Sequence, residues 1–276
     1  MSASELAEER VSLAYEGPYL RTMLWLLITG LVSVLIIPAA WATAFLYRRI
    51  LSHVTLSDTT TVAFRGLAGR VWGWFVIVGA LTLVPYLIGG VVYNGDPFSM
   101  IPTYDPFERA SDPAFMSGQS AQSVAFFVAI PFILFAQLVI MRWAIAGIEL
   151  TNGPELSFAG RYLPLLGWLL FFSVSAITIV GPAWVATAFL RWFARNIEGA
   201  GVRFEFHGSG WGLLWRYVAI FIVTVALVGT VLLSPVLLIL SLIWYLWGVV
   251  WLLKWLISNV VLVRSVPSPG MAAPEM

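Results

Sequence analysis

Arg191-Trp192-Phe193-Ala194-Arg195-Asn196-Ile197 closes one long apolar stretch of this chain, and Phe206-His207-Gly208 opens the next. The same two signatures recur three more times. The other openings are Tyr15-Glu16-Gly17, Phe64-Arg65-Gly66 and Phe158-Ala159-Gly160. The other closings are Arg48-Arg49-Ile50-Leu51-Ser52-His53-Val54, Arg142-Trp143-Ala144-Ile145-Ala146-Gly147-Ile148 and Lys254-Trp255-Leu256-Ile257-Ser258-Asn259-Val260. Tyr15 to Arg48 and Phe158 to Arg191 both span thirty-three residues, and Val54 to Phe64 and Ile148 to Phe158 both span ten. Chance produces one such match; four in register read as an internal repeat, and a repeat sets the architecture of the whole chain.

Between the signatures the chain is oil-like. Hydrophobic residues make up 60% and charged residues 11%, with a mean hydropathy of +0.91, whereas a soluble domain carries about 25% charged residues. Apolar stretches run at 20–47, 71–93, 122–147, 162–193, 211–233 and 235–257, each long enough for the roughly 20 residues that cross a bilayer. Those at 20–47 and 162–193 are too long for one crossing and break at Pro38 and at Gly181-Pro182. Fourteen Trp and nine Tyr suit the water–lipid boundary. The expected fold class is membrane all-α: a polytopic helical bundle of four pseudo-repeats, each a helical hairpin, some Pro-broken, with short cytoplasmic β-hairpins between units. The units fall at about 11–54, 55–148, 149–197 and 198–264. Together they form a single transmembrane domain, 11–264, between an N-terminal tail, 1–10, and a disordered C-terminal tail, 265–276. Glu5, Glu8, Glu9 and Glu16 precede the first apolar stretch, so that stretch reads as a retained span rather than a cleaved signal peptide, whose leading region is short and basic.

The linkers carry the strand signal. Ile148 to Phe158 alternates on both sides of Asn152-Gly153, Ile197 to Phe206 holds Gly199-Ala200-Gly201, and Val54 to Phe64 holds Ser57-Asp58. Each is expected to form a β-hairpin. Val11–Tyr15 lacks a preceding strand and Val260–Val263 a following one, so these two are expected to pair and close a ring. Charge then sets topology. If all six stretches crossed in strict alternation, cations would fall on both faces. If each unit returns to the face it left, every cation but Arg109 shares one side and the acidic loop with Asp96, Asp105, Glu108 and Asp112 takes the other. Cations favour the cytoplasm, which places both termini and all linkers inside; dual topology is the rival.

Several chemistries lack their residues. Net charge is +1, which attracts neither nucleic acid nor acidic substrate. There is no Cys and there are two His, too few for a structural zinc site. No phosphate loop or His-Glu-x-x-His helix occurs. No catalytic, cofactor-binding or metal-binding residue is assigned, no cofactor is expected, and the chain is not read as an enzyme; Glu149, Glu155 and His207 are the nearest candidates for lipid chemistry. The acidic loop matches no calcium-loop spacing.

Two sets of residues stand out. Arg21, Arg70 and Arg216 sit just inside their apolar segments, where a guanidinium either forks onto an anionic lipid headgroup or simply snorkels to the interface. Gln137, with the milder Ser173, Ser175 and Thr178, is polar in mid-span. These four form a candidate polar path, or else hydrogen-bond between neighbouring helices. Gly17, Gly66, Gly160 and Gly208 are expected at the turn from strand into helix, where a Cβ is not tolerated. His53 and His207 read as exposed linker residues.

The aromatic-x-Gly openings, the Pro-and-Trp breaks (Pro38 with Trp41, Pro182 with Trp184) and the Arg-rich closings resemble the YjgN-like family. Arg203-Phe204-Glu205-Phe206-His207-Gly208-Ser209-Gly210 carries the best single match. The resemblance spans about 11–264 in repeated form, and the long acidic loop of the second unit departs from it. It implies a multi-pass bacterial inner-membrane protein and no particular chemistry. Internal repeats with broken helices favour a transporter or channel; the absence of intramembrane charge counts against one. A non-catalytic membrane-organising or interaction protein ranks close behind. The lipid bilayer is the expected partner, with anionic headgroups and a second copy of the chain as further candidates.

Overall fold

Strand β1 (Leu6–Tyr15) leads into helices α1 (Tyr19–Ser33) and α2 (Ala39–Leu51) and then strand β2 (Val54–Leu56). Next come β3 (Val62–Phe64), a short 3-10 turn (Ala68–Arg70), α3 (Trp72–Asn94), α4 (Pro113–Ala146) and β4 (Ile148–Leu150). β5 (Ser157–Phe158), α5 (Tyr162–Ser175), α6 (Gly181–Arg195) and β6 (Ile197–Gly199) follow. The chain ends on β7 (Val202–Phe206), α7 (Gly210–Gly229), α8 (Val236–Ser258) and β8 (Val260–Pro267). This computed structural model describes residues 6–57, 60–98, 113–151, 153–178, 180–229 and 236–267. Strand–helix–helix–strand is therefore the order of elements four times over.

The strands that flank each helix pair bond to each other. Tyr15 faces Val54, Phe64 faces Ile148, Phe158 faces Ile197 and Phe206 faces Val260, all antiparallel. Each helix pair thus leaves the sheet and returns to it at one point. Six strands run in the order β2-β1-β8-β7-β6-β5, and β3-β4 form a separate pair. Among the described residues the expected linker hairpins hold as paired strands in one case. β6 and β7 pair directly around Gly201, whose φ of 70° suits glycine. Between Val54 and Phe64 a single bridge, Thr55 to Thr61, joins the linker, and β4 does not pair with β5. In these two linkers both strands have only two or three residues and offer too few bonds for a hairpin of their own, whereas β6 meets the five-residue β7. Pro154, which lacks a donor, further weakens the second linker.

First and last strands do meet. β1 and β8 pair from Leu6 with Pro267 through Ser12 with Val261. Both strands run past the 11–264 limits read from sequence. Val11 and Leu262 lie opposite each other and are essentially fully buried.

Among the described residues four helices are long and apolar enough to span a membrane: α3, α4, α7 and α8. Only 17–22% of their most apolar windows is buried. A helix apolar all round with little protein cover needs hydrocarbon around it. The other four helices are shorter, at 15, 13, 14 and 15 residues, and α1 reaches only about 22 Å at 1.5 Å per residue against about 30 Å of hydrocarbon. The apolar stretches at 20–47 and 162–193 are therefore each two short helices, neither as long as a full crossing. The chain turns around Val34–Ile37 and 176–178, ahead of Pro38 and Pro182, which resist continuing a helix from the preceding turn. Ile36 takes a φ of 59° there, a rare conformation for a β-branched residue. Val34, Leu35, Ile37 and Ile177 leave these tips apolar and exposed.

Candidate functional site

The base of the helix bundle is organised by the aromatic-x-Gly openings. Tyr15, Phe64, Phe158 and Phe206 are each buried, 5–7% exposed, and each ring folds back over the glycine two residues later. A Cβ built on Gly17, Gly66, Gly160 or Gly208 would overlap its own aromatic ring. The four glycines thus do exclude a Cβ, but through a close approach and not through a left-handed backbone; among the described residues the glycines with positive φ are Gly95 and Gly201. The middle residue of each opening donates its backbone N–H to the end of the same helix pair. Glu16 reaches His53 O at 3.0 Å, and Arg65, Ala159 and His207 reach Gly147, Asn196 and Asn259 O at 2.8 Å.

The closing cations point forward. Arg48 Nη2 donates to Gly66 O at 3.5 Å, Arg142 to Gly160 O at 3.2 Å and Arg191 to Gly208 O at 3.0 Å. Lys254 Nζ instead lies over the Tyr19 ring at 4.1 Å and the Tyr15 ring at 5.7 Å, a cation–π contact. Each segment is fastened to the next, and the last to the first. Tyr15, held to Thr22 Oγ1 at 2.6 Å, has its phenol pKa pushed up by burial, with the Thr22 hydrogen bond pulling the other way.

Above this base lies a partly open cavity of about 440 Å³, lined by the second helix of every pair: Tyr47 and Leu51 of α2, Gln137 and Met141 of α4, Phe193 of α6, Leu253 and Ile257 of α8. Beneath it a smaller space of about 110 Å³ sits within the strands, lined by apolar side chains only, among them Leu13, Val54, Val62, Leu150, Phe204 and Val260. Leu51, Ile148 and Ile257 border both. The floor of the cavity is oil.

The candidate polar path is not assembled. Gln137 faces the cavity. Ser173 and Thr178 are exposed, and Ser173, Ser175 and Thr178 bond to the carbonyls of Leu169, Phe172 and Ser175 on their own segment. Depth in the membrane is legible from sequence; which side of the bundle a residue faces is not. Tyr47 was missed, although Tyr47, Ile50 and Leu51 stand at i, i+3 and i+4, the spacing of one helix face. The three arginines also diverge. Arg21 and Arg70 are exposed at the bases of α1 and α3. Arg216 folds inward, over the rings of Trp251 and Trp255 at 5.0 Å each, with Nη1 on Gly212 O and Nε buried without a partner.

His53 bonds back to Arg49 O through Nδ1 at 2.9 Å, and His207 Nε2 lies 3.3 Å from Glu205. Glu149 pairs with Arg65 at 2.9 Å, leaving Glu155 as an exposed residue of the linker between Ile148 and Phe158. In the acidic loop Asp96 accepts from the Phe98 N–H; Asp105, Glu108, Arg109 and Asp112 lie outside the described residues. Set against protein-family profiles, curated proteins and solved structures, the chain finds no match.

Proposed function

We propose that this chain is a non-catalytic, non-conducting membrane-organising protein of the bacterial cytoplasmic membrane, built from four copies of one strand–helix–helix–strand unit and akin to the YjgN-like proteins. The observation that carries the reading is the wholly apolar space within the strands. Hydrophobic constrictions shed water, so ions have no wet route through the base. The transporter or channel reading, ranked just ahead from sequence, needs a polar lining, and Ser173, Ser175 and Thr178 are not among the residues that line the cavity with Gln137. The four-copy reading draws on the shared register of the flanking strands and the shared bonds from the opening triplets.

Orientation follows from where the cations sit. Arg48, Arg49, Arg65, Arg142, Arg161, Arg195 and Arg203 are exposed beside the strands, a basic surface suited to anionic lipid headgroups and to the cytoplasmic face. Arg21 and Arg70 extend that surface.

Reconstituted into liposomes, the protein is expected to raise potassium or anion flux no further than protein-free vesicles do. Flux that grows with protein-to-lipid ratio would remove the non-conducting reading. A second experiment addresses the fold-back of each unit. The chain has no Cys, so Ser57→Cys and Ala200→Cys report cleanly. An impermeant maleimide is expected to label both from the cytoplasmic side alone and Met100→Cys from the other. Labelling of Ser57→Cys and Ala200→Cys from opposite sides would overturn the arrangement.

A further inference from the structure

We propose that the cavity among α2, α4, α6 and α8 is a binding site for a neutral long-chain molecule carrying one hydrogen-bonding head, a hydroxyl or a carbonyl. The site goes beyond the non-conducting reading and does not depend on it.

Size is the first argument. At about 440 Å³ the cavity falls within the roughly 300–1,000 Å³ range of small-molecule sites. Chemistry is the second. The wall is aliphatic and aromatic except for the Gln137 carboxamide and the Tyr47 hydroxyl, and no hydrogen bond joins either to any described residue. The buried threonines of the short helices, by contrast, are satisfied: Thr22 bonds Tyr15 and Pro18 O, Thr29 bonds Ala42 O, and Thr187 bonds Ala183 O. An amide and a phenol that donate and accept, both facing one apolar space, are complementary to a molecule with a single polar group at the end of an apolar body. No cation or carboxylate lines the space, so a charged head would be buried unpaired at high cost. The ligand is therefore neutral. Membrane lipid supplies such molecules at high local concentration, and the aliphatic side chains along the wall suit a single chain.

The test uses the full chain in lipid nanodiscs and three photoactivatable probes of equal length: a primary alcohol, an alkane and a carboxylate. Cross-linked peptides are mapped by mass spectrometry. The alcohol is expected to mark the 47–51 and 137–145 regions more strongly than either of the others. Gln137→Leu, which replaces an unpartnered amide by a group of similar size, is expected to keep the fold. It should lower alcohol labelling about fivefold, about 1 kcal/mol at 1.4 kcal/mol per tenfold, and leave alkane labelling unchanged. Ala144→Phe, filling the space, should lower both; should that variant not fold, Gln137→Leu decides alone. Equal labelling by the three probes, a preference for the carboxylate, or alcohol labelling indifferent to Gln137→Leu would each overturn the site.

Discussion

Gly160→Ala should lower the stability of the folded chain by about 2–3 kcal/mol, the upper part of the usual overpacking range, although it adds a single methyl. Its Cβ would land on the Phe158 ring. That ring cannot swing aside: it is 5% exposed, with the Phe193 ring centroid 4.9 Å away and Trp192 crossing it edge-on at 6.0 Å. Gly167, in the middle of α5, supplies the contrast. Nothing lies within 4 Å of a Cβ built there, so Gly167→Ala should stabilise by roughly 0.5–1 kcal/mol through helix propensity. A double-mutant cycle isolates the cause, since contacting residues are non-additive. In a Phe158→Leu background most of the Gly160→Ala penalty should vanish. Denaturant unfolding in detergent reads all four combinations, and a Gly160→Ala cost that is the same in both backgrounds would show that the ring is not what the methyl strikes.

The recurrence of aromatic-x-Gly was legible because identical short words at regular spacing need no geometry to be seen. Its meaning was not. A glycine between strand and helix suggests a turn, and a contact between a ring and a backbone two residues away leaves no periodic trace. The linkers misled for a related reason. Alternation around Asn152-Gly153 is a local hairpin signal, whereas Phe158 in fact pairs with Ile197 and Phe64 with Ile148, partners brought together only after two helices have folded back. Helix lengths were obscured by the tips themselves. Val34, Leu35 and Ile37 are as apolar as a helix core, so hydropathy runs on unbroken where the backbone reverses. Gln137 could be singled out as polar in mid-span, but its cavity joins helices up to 210 residues apart in sequence, from Tyr47 to Ile257. That distance is closed by the pairing of β1 with β8 and by the forward reach of Arg48, Arg142 and Arg191, which only the folded chain displays.

That closure can be attacked directly, and Leu262→Asp should leave little folded protein at neutral pH. Leu262 is 0% exposed and faces Val11, at 2%, across the seam between last strand and first. Both belong to the main apolar cluster with Phe204 and Phe206. A carboxylate there has no cation to pair with inside the cluster and no water to hydrate it, a loss of several kcal/mol, comparable to the whole stability of many domains. Ser12→Asp, one residue along β1 but exposed, should change stability by no more than about 0.5 kcal/mol. The pH dependence fixes the mechanism. Burial raises the new carboxyl's folded-state pKa above its unfolded value of about 3.9, so the folded form holds the proton more tightly. The penalty is then full above the raised pKa and shrinks as pH falls through it, because a protonated carboxyl costs less to bury. Fluorescence-detected size exclusion of detergent extracts at pH 8 and pH 5 should show Leu262→Asp recovering folded protein only at the lower pH. A sharp, wild-type-like peak at both values would mean that this seam is wet, and that the apolar closure beneath the cavity does not exist.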